Sequence, residues 1–209
     1  MRDTPRWNPC QDFAPVILTN RAPNVLVAHP SVAAGSVKEL VTLARAKAGQ
    51  LNYGAGAAGA STHLAAELFR SMAGVNIARI PYKSSGAVIN ALMGNEVQIM
   101  FATVGSAVGH IKAGRLKGLA VTTREPSTLS PGMLTVAADL PGYESEASYA
   151  ICALGKTPDS AIRILNHAVM RILARPEPQQ GFSDGHYISR RWRGSVAMLR
   201  LVTNQVIDA

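Results

Sequence analysis

From residue 24 onward, short apolar segments alternate with stretches whose apolar residues recur at helical spacing. The apolar segments predict buried strands at Val25–Ala28, Leu51–Tyr53, Ile77–Ile80, Val97–Phe101 and Leu116–Thr122. Strands that alternate with helices in this way are typical of βαβ units, which form a largely parallel sheet. We therefore expect one α/β lobe over residues 24–146, which ends in a stretch rich in proline and glycine.

Helix starts are marked by capping residues. Ser36 and Glu39 form a capping box at the start of the first helix. The predicted apolar stripe of the second helix consists of Leu64, Leu68 and Met72. The fourth helix begins near Ser106. Beyond the lobe, Thr157 as N-cap and Pro158 as the first helical residue predict another helix.

Composition supports a folded protein that does not cross a membrane. The chain has 209 residues, of which 47% are hydrophobic and 16% charged, which is enough for one domain or two small lobes. No apolar run approaches the roughly 18 residues that a membrane span requires. Met1–Pro9 contains no hydrophobic region, so the chain as written carries no export signal and would be cytoplasmic if expressed as written.

The net charge of +8 raises the question of a nucleic-acid partner. Its one tight cluster is Arg190–Arg193, and no stacking platform of aromatic residues accompanies it. A solvated surface is therefore favoured over a nucleic-acid module, which would show strongly salt-dependent DNA binding. Cys10 and Cys152 could pair or remain free, and neither has metal-ligand spacing.

Gly54–Gly59 reads Gly-Ala-Gly-Ala-Ala-Gly between a strand and a helix, which matches the G-x-G-x-x-G pattern of dinucleotide sites. Such a site also requires an acidic residue about 20 positions later to bind the ribose. Arg79–Lys83 occupies that region and contains no acid. An NAD(P)-dependent oxidoreductase that uses Gly54–Gly59 is therefore the alternative function rather than the favoured one.

Three strand-to-helix junctions share small and hydroxyl-bearing residues. They are Gly54–Thr62, Pro81–Gly86 and Ala102–Ser106. In a parallel sheet these junctions lie at the carboxyl ends of the strands, so we expect them on one edge. Helix N-termini with free backbone N–H groups favour an anion, which predicts a carboxylate or phosphate site. Ordinary N-capping is the competing explanation for each single serine or threonine.

No catalytic or metal-binding pattern is present in the sequence. No serine lies in a G-x-S-x-G motif, and neither cysteine has an evident histidine partner. The histidines lack metal-ligand spacing, and His63 is interpreted as a structural hydrogen-bonding residue. We therefore expect a binding protein without cofactor, metal or catalytic residues.

The order of several short motifs resembles the solute receptors of tripartite tricarboxylate transporters, the Bug family. The motifs are Asp12–Val16, Pro23–Val27, Ser36–Leu40, Gly49–Gly54, Ser61–Leu64, Pro81–Lys83, Gly109–Gly114, Leu119–Thr122 and Leu140–Tyr143. The resemblance extends from about residue 8 to residue 180. It depends on the number and order of these motifs, since none is specific alone.

The resemblance implies a periplasmic-binding-protein-like (type II) fold with two α/β lobes and a hinge. It implies a periplasmic receptor that binds a small carboxylate, such as an organic acid or acidic amino acid, and delivers it to membrane transporter subunits. The implied cradle for the carboxylate is Gly56, Ala57, Gly59, Ser61 and Thr62. The implied neighbouring residues are Lys83, Ser84, Ser85, Thr103 and Ser106.

Two departures from the family pattern change the expectation of a complete two-lobe receptor. Ala102-Thr103 stands where the family usually has Asp-Asn, and a first-lobe segment of roughly a hundred residues has no counterpart here. We therefore expect an intact second lobe at residues 24–146, with residues 1–23 and 147–209 forming the hinge crossings and the remainder of the first lobe. A receptor truncated in this way should bind its ligand weakly.

Overall fold

The computed structural model of the protein describes residues 8–127 and 130–178. The expectations for Arg190–Arg193 and for the other residues beyond 178 lie outside the described residues, as does the side chain of Cys10. Cys152 is a free, exposed thiol. The chain divides into two compact units, of which unit 2 is Ala22–Ala147 and unit 1 is the chain on either side of it.

The elements follow one another in a largely alternating order. The strands are β1 (Phe13–Ala28), β2 (Asn52–Ala55), β3 (Ala78–Pro81), β4 (Ile99–Thr103), β5 (Lys117–Val121) and β6 (Glu146–Leu154). The helices are α1 (Pro9–Asp12), α2 (Val37–Ala46), α3 (Ser61–Ala73), α4 (Ser85–Met93), α5 (Val104–Lys112) and α6 (Asp159–Leu173), with a 3-10 turn at Val136–Ala138. The α/β class predicted from the sequence is confirmed.

The sheet has the strand order β3-β2-β4-β1-β5, and β6 pairs with β1. β2 is parallel to both β3 and β4, whereas β1 is antiparallel to β4 and β5. The expectation of a largely parallel sheet is therefore wrong for β1. α2 lies between β1 and β2, yet these strands run in opposite directions, so the connection through α2 is not a βαβ crossover.

Unit 2 has a hydrophobic core on each face of its sheet. Leu26 and Ala28 of β1 point into the first core, which α2 and α3 cover. Val25 and Val27 point into the second core, which α4 and α5 cover. Side chains alternate between the two faces of a strand, and a strand buried on both faces is continuously apolar. The run Val25–Ala28 is apolar for that reason.

The expected apolar stripe of α3 is wrong. Leu68 and Met72 are 37% and 38% exposed, and the buried positions of the helix are Thr62, Ala65, Ala66, Phe69 and Ala73. Small alanine side chains let the helix approach the sheet closely, and the single large ring of Phe69 fills the core beside Phe101. The larger aliphatic residues lie at the margin of that contact, although their spacing is equally helical.

Helix starts agree with the sequence in part. The Ser36 side chain accepts a hydrogen bond from Glu39 N–H, as a capping box requires, while Glu39 Oε2 accepts from Gly35 N–H rather than from Ser36. α5 begins at Val104, two residues before the expected start near Ser106. In α6 the N-cap is Pro158 and no side chain caps the helix, so the assignment of Thr157 as N-cap is wrong.

Gly54 is required by packing inside unit 2. A Cβ atom at this position would overlap Val88 Cγ1 and would lie 3.1 Å from Val97 Cγ2. We expect Gly54→Ala to destabilise the protein by about 1–3 kcal/mol through overpacking. Urea denaturation followed by circular dichroism measures the change.

Gly109→Ala is the matched control, because a Cβ atom there meets nothing within 4 Å and the residue lies inside α5. It should leave stability unchanged or raise it slightly, since alanine favours a helix over glycine. Equal stability of the two variants would contradict the close approach of α4 to β2.

Candidate functional site

The three junctions singled out from the sequence end up on one edge of the sheet. β2 lies between β3 and β4, and all three run in the same direction. Ala55 pairs with Pro81, so β2 and β3 end at the same level. Gly54 pairs with Met100, so β4 extends two residues further in the same direction. The loops that lead into α3, α4 and α5 therefore leave the sheet side by side. We call this edge the rim.

The helices after β2 and β4 pass to opposite faces of the sheet. α3 contributes Phe69 to the first core, and α5 contributes Ala107 to the second core. Two neighbouring parallel strands with connections on opposite faces define a topological switch point, and α/β proteins bind ligands in the crevice at such a point. The rim between β2 and β4 is therefore the candidate binding site of unit 2.

The helices at this crevice differ from the other helices of unit 2 in their caps. Ser36 caps α2, and Ser84 caps α4 through a hydrogen bond from Ala87 N–H to its Oγ atom. α3 and α5 have Ala60 and Thr103 as their N-cap residues, and neither residue makes a side-chain cap hydrogen bond. An uncapped helix start presents unpaired N–H groups and the positive end of the helix dipole. Two such starts follow neighbouring strands here.

The first turn of α3 has unpaired amides. The N–H groups of His63 and Leu64 both donate to Ala60 O, and within the described residues the N–H groups of Ser61 and Thr62 have no acceptor. Ser61 is half-buried and Thr62 is buried. Two adjacent N–H donors and a hydroxyl at a helix start match the acceptor geometry of a carboxylate.

The glycine-rich loop before α3 contacts the start of α4. Gly56 is buried, and a Cβ atom on it would lie 3.7 Å from backbone atoms of Ser84 and Ser85. Ala57 and Gly59 are exposed, and Gly59 has a φ of 82°, which favours glycine. Two of the three predicted junctions are thus in direct proximity.

Not every predicted donor is available to a ligand. Gly59 N–H donates to Nδ1 of His63 at 3.1 Å, so this amide is already paired. The Ser84 hydroxyl acts as the cap of α4, which is the ordinary role that competed with a binding role. Ser85 is exposed and belongs to the first turn of α4.

Thr103 and Ser106 form a small hydroxyl pair at the start of α5. Thr103 Oγ1 donates to Ser106 Oγ at 2.9 Å, and Ser106 Oγ donates to Thr103 O at 2.8 Å. Both residues are half-buried. Both hydroxyl hydrogens are therefore already paired, and the backbone of these residues lies at the crevice.

Lys83 extends the rim with a positive charge. Its side chain is exposed, and within the described part of the chain it forms no ion pair. The preceding Tyr82 donates from its hydroxyl to Glu96 at 3.4 Å and from its backbone N–H to Ala55 O at 2.8 Å. These bonds fix the loop on which Lys83 lies, so its ammonium group adds to the positive potential of the edge.

The sequence did not single out Arg79 as a site residue. Arg79 Nη2 donates to Gly56 O at 2.9 Å, which anchors the glycine-rich loop on the edge strand β3. The same residue stands where a dinucleotide site would need an acid. The only signal in the sequence is its position just before the Pro81 junction.

His63 holds the other end of the loop, and the structural role predicted for it agrees with this geometry. Its Nδ1 atom can accept from Gly59 N–H only in the neutral ring. Burial, reinforced by the charge of Arg79, lowers the pKa of His63 below 6.5, while Glu67 opposes the shift. His63 Nε2 lies 3.8 Å from Glu67 Oε1.

Glu67 lies between His63, which holds the glycine-rich loop, and the buried residue Tyr53. Burial raises its pKa, but the hydrogen bond from Tyr53 and the charge of Arg70 outweigh burial, so the net pKa is lowered. Arg70 Nη1 donates to both Glu67 oxygens, at 3.0 and 2.8 Å. Burial and the Glu67 hydrogen bond raise the pKa of Tyr53, which therefore stays protonated as a donor. Glu67 is thus an ionised acceptor.

The described residues form neither a metal centre nor a membrane-spanning helix. In residues 8–127 and 130–178, no group of three or more His, Cys, Asp or Glu side chains is arranged to hold a metal ion. In the same ranges, no helix is both long and apolar enough to cross a membrane.

Solved structures with the same architecture include a periplasmic binding protein. A structure of Rpa4515 from R. palustris with adipate matches with a TM-score of 0.85 and 30% identity, over 98% of this chain and 68% of that one. The periplasmic binding protein BugD matches with a TM-score of 0.82 and 24% identity, over 96% and 68%. The protein therefore has a periplasmic-binding-protein fold, as the sequence predicted.

The family is also established. A family model described as "Tripartite tricarboxylate transporter family receptor" (TctC) matches residues 2–195, and the chain belongs to this family. A protein of Bordetella pertussis is 34% identical over 82% of this chain and 52% of its own length. A protein of Pseudomonas sp. strain P51 is 31% identical over 80% and 50%. The chain thus spans about half the length of these relatives. The oxidoreductase alternative finds no support in this family.

The hydrogen bond from Gly59 N–H to His63 Nδ1 predicts how the stability of the protein depends on pH. The pKa of His63 is lower in the folded protein than in the unfolded chain, so the unfolded state takes up a proton first as the pH falls. Stability should therefore decline below about pH 6.5, and His63→Gln should reduce this decline. Urea unfolding between about pH 7 and about pH 5 measures it.

His167→Gln is the matched control, because His167 is exposed on α6 in unit 1. It should leave the pH dependence of the wild type unchanged. If His63→Gln shows the same decline as the wild type, the neutral His63 ring does not hold the loop.

Proposed function

We propose that the protein is a receptor that binds a small carboxylate at the rim of unit 2, for a tripartite tricarboxylate-type transporter. The observation that carries the proposal is the pair of uncapped helix starts, of α3 and α5, after neighbouring parallel strands. In a member of the TctC family, unpaired N–H donors at this place suit a ligand carboxylate. Receptor rather than enzyme is the corresponding functional class.

The first turn of α3 supplies the main contacts in this proposal. The carboxylate accepts hydrogen bonds from the N–H groups of Ser61 and Thr62, and the Ser61 hydroxyl adds a further donor. The backbone of Gly56 and Ala57 forms the wall of the cradle, and Arg79 fixes it through Gly56 O. Gly59 has a supporting role, because His63 takes its N–H.

The remaining predicted residues have weaker or indirect roles. Lys83 attracts the anion across the rim, and Ser85 offers a backbone N–H beside the Gly56 loop. Ser84 acts by capping α4. Thr103 and Ser106 have an indirect role, because both of their hydroxyl hydrogens are donated within the pair that shapes the start of α5. The adipate named with Rpa4515 favours an organic acid as the ligand class.

Affinity should be low for the chain by itself. Micromolar binding needs about 8 kcal/mol, and a charge-assisted hydrogen bond contributes roughly 1.5–3 kcal/mol. In this proposal residues 24–146 are the second lobe, and residues 1–23 and 147–209 are the hinge crossings and the remainder of the first lobe. Without the rest of that lobe, the anion stays exposed to water and salt. Periplasmic residence and transporter subunits as partners belong to the same proposal.

Isothermal titration with a panel of mono-, di- and tricarboxylates tests the function. We expect binding weaker than micromolar for at least one organic acid, and no change in NADH fluorescence on addition of the protein. Submicromolar binding would contradict the weakening by truncation. Absence of binding at millimolar concentrations by a folded protein, or saturable NADH binding, would contradict the receptor proposal.

Lys83 offers a test of the charge at the rim. Lys83→Gln should weaken carboxylate binding about twofold to fivefold at low salt, in line with an exposed charge, and the difference should shrink as salt is added. Titration by chemical-shift changes measures both effects.

Lys112→Gln is the control, because Lys112 is equally exposed but lies at the other end of α5. It changes the net charge by the same amount and should leave the affinity nearly unchanged. An equal loss in both variants would assign the effect to net charge rather than to the rim.

A further inference from the structure

The ring of His63 lies between a backbone donor and a carboxylate. Its Nδ1 atom accepts the hydrogen bond from Gly59 N–H at 3.1 Å, and its Nε2 atom lies 3.8 Å from Glu67 Oε1. A neutral ring with its proton on Nε2 suits both neighbours, because Nδ1 is then an acceptor and Nε2–H faces an anion. The surroundings of His63 therefore favour one neutral tautomer.

Protonation of this ring has opposite effects on its two sides. On the Nε2 side the new charge is matched, since Glu67 is ionised and is held in place by Arg70 and Tyr53. On the Nδ1 side the acceptor becomes an N–H donor, so the hydrogen bond from Gly59 is lost. The Gly59 N–H group then needs another acceptor. The cost of protonation therefore arises in the glycine-rich loop, at the candidate site.

Arg79 of β3 and Glu67 of α3 are the charged groups that face His63. Arg79 lowers the pKa of the ring in addition to burial, and Glu67 raises it. β4 also packs against α3 but has no titratable side chain. The other titratable groups that contact α3 donate their hydrogen bonds elsewhere: Tyr53 and Arg70 to Glu67, Tyr143 to Ala65 O and Arg45 to Ala73 O. An anion added near the ring therefore acts against the charge of Arg79.

We propose that carboxylate binding at the rim is coupled to protonation of His63, so that the ligand binds with uptake of a proton and binds more tightly as the pH falls. Ser61, Thr62 and His63 are the first three residues of α3, so a carboxylate on the first two lies beside the ring. Its charge stabilises the imidazolium, and its oxygen atoms replace Nδ1 as acceptors for Gly59 N–H. The coupling rests on the proposed function, because it requires a carboxylate at the rim.

The direction of the effect follows from reciprocity. Burial, and then Arg79, lower the pKa of His63 in the free protein. A bound anion raises this pKa again, and a ligand that favours protonation is itself favoured by protonation. Affinity should therefore be lowest where the ring is neutral in both states and should increase as the pH falls through the range around 6.5.

Isothermal titration with adipate, in buffers of different ionisation enthalpy, counts the protons taken up on binding. We expect the full 209-residue chain to take up a fraction of a proton and to bind about twofold to fivefold more tightly at about pH 6 than at about pH 7.5. His63→Gln cannot ionise, so it should show only the proton uptake of adipate itself. His167→Gln is the matched control, because His167 is exposed on α6, and it should behave like the wild type.

A measurement on the wild type keeps the proposal testable if His63→Gln fails to fold. The NMR signals of the His63 ring follow its pKa directly, and saturating adipate should raise that pKa. An unchanged or lowered pKa on binding, or equal proton uptake by the wild type and His63→Gln, overturns the coupling. Binding without proton uptake contradicts the coupling alone. Absence of binding of any carboxylate of the panel by the folded protein contradicts the receptor proposal as well.

Discussion

The parallel pairing of β2 with β3 and β4 is the constraint on which the candidate site depends. Parallel strands are connected by helical crossovers, so each of these strands is followed by a helix that begins at the same edge of the sheet. Three helix starts are thereby brought together without any direct attraction between their loops. The close packing of α4 on β2 and of α3 on both β2 and β4 then fixes the height of each start.

The caps divide the helices of unit 2 into two classes. Serine side chains accept hydrogen bonds from backbone N–H groups in the first turns of α2 and α4. Loss of such a cap typically lowers the free energy of unfolding by about 0.5–2 kcal/mol. α3 and α5 have no side-chain cap. A ligand that supplies the missing acceptors recovers that stability. In the proposed receptor, the absence of caps is therefore a source of affinity rather than a defect.

The sequence predicts the alternating elements well because residues inside unit 2 satisfy local rules. Val88 and Leu92 lie on the buried face of α4, and Gly74 ends α3 in the left-handed conformation. The full length of β1 is not evident from the sequence, because Pro15 and Pro23 lie within the strand. Proline has no backbone N–H to donate to a neighbouring strand and therefore argues against a strand assignment. β6 is concealed because its apolar run lacks alternation.

The site itself is only partly visible in the sequence. Hydroxyl residues at helix starts indicate where the loops meet, but not which hydroxyls remain free. Ser84 and Ser61 have the same chemistry, and only the geometry distinguishes a cap from an open donor. Arg79 escapes notice because its role depends on a contact with Gly56 that crosses between elements.

Gly54 shows why a glycine pattern can mislead motif searches. A dinucleotide fingerprint assigns its first glycine to a tight turn, but here that residue lies within β2 and makes room for a valine methyl group of α4. Any sheet whose neighbouring helix approaches this closely will select glycine at the same register, with or without a nucleotide. Surveys that count such glycines as cofactor signatures will therefore misassign receptors of this architecture as oxidoreductases.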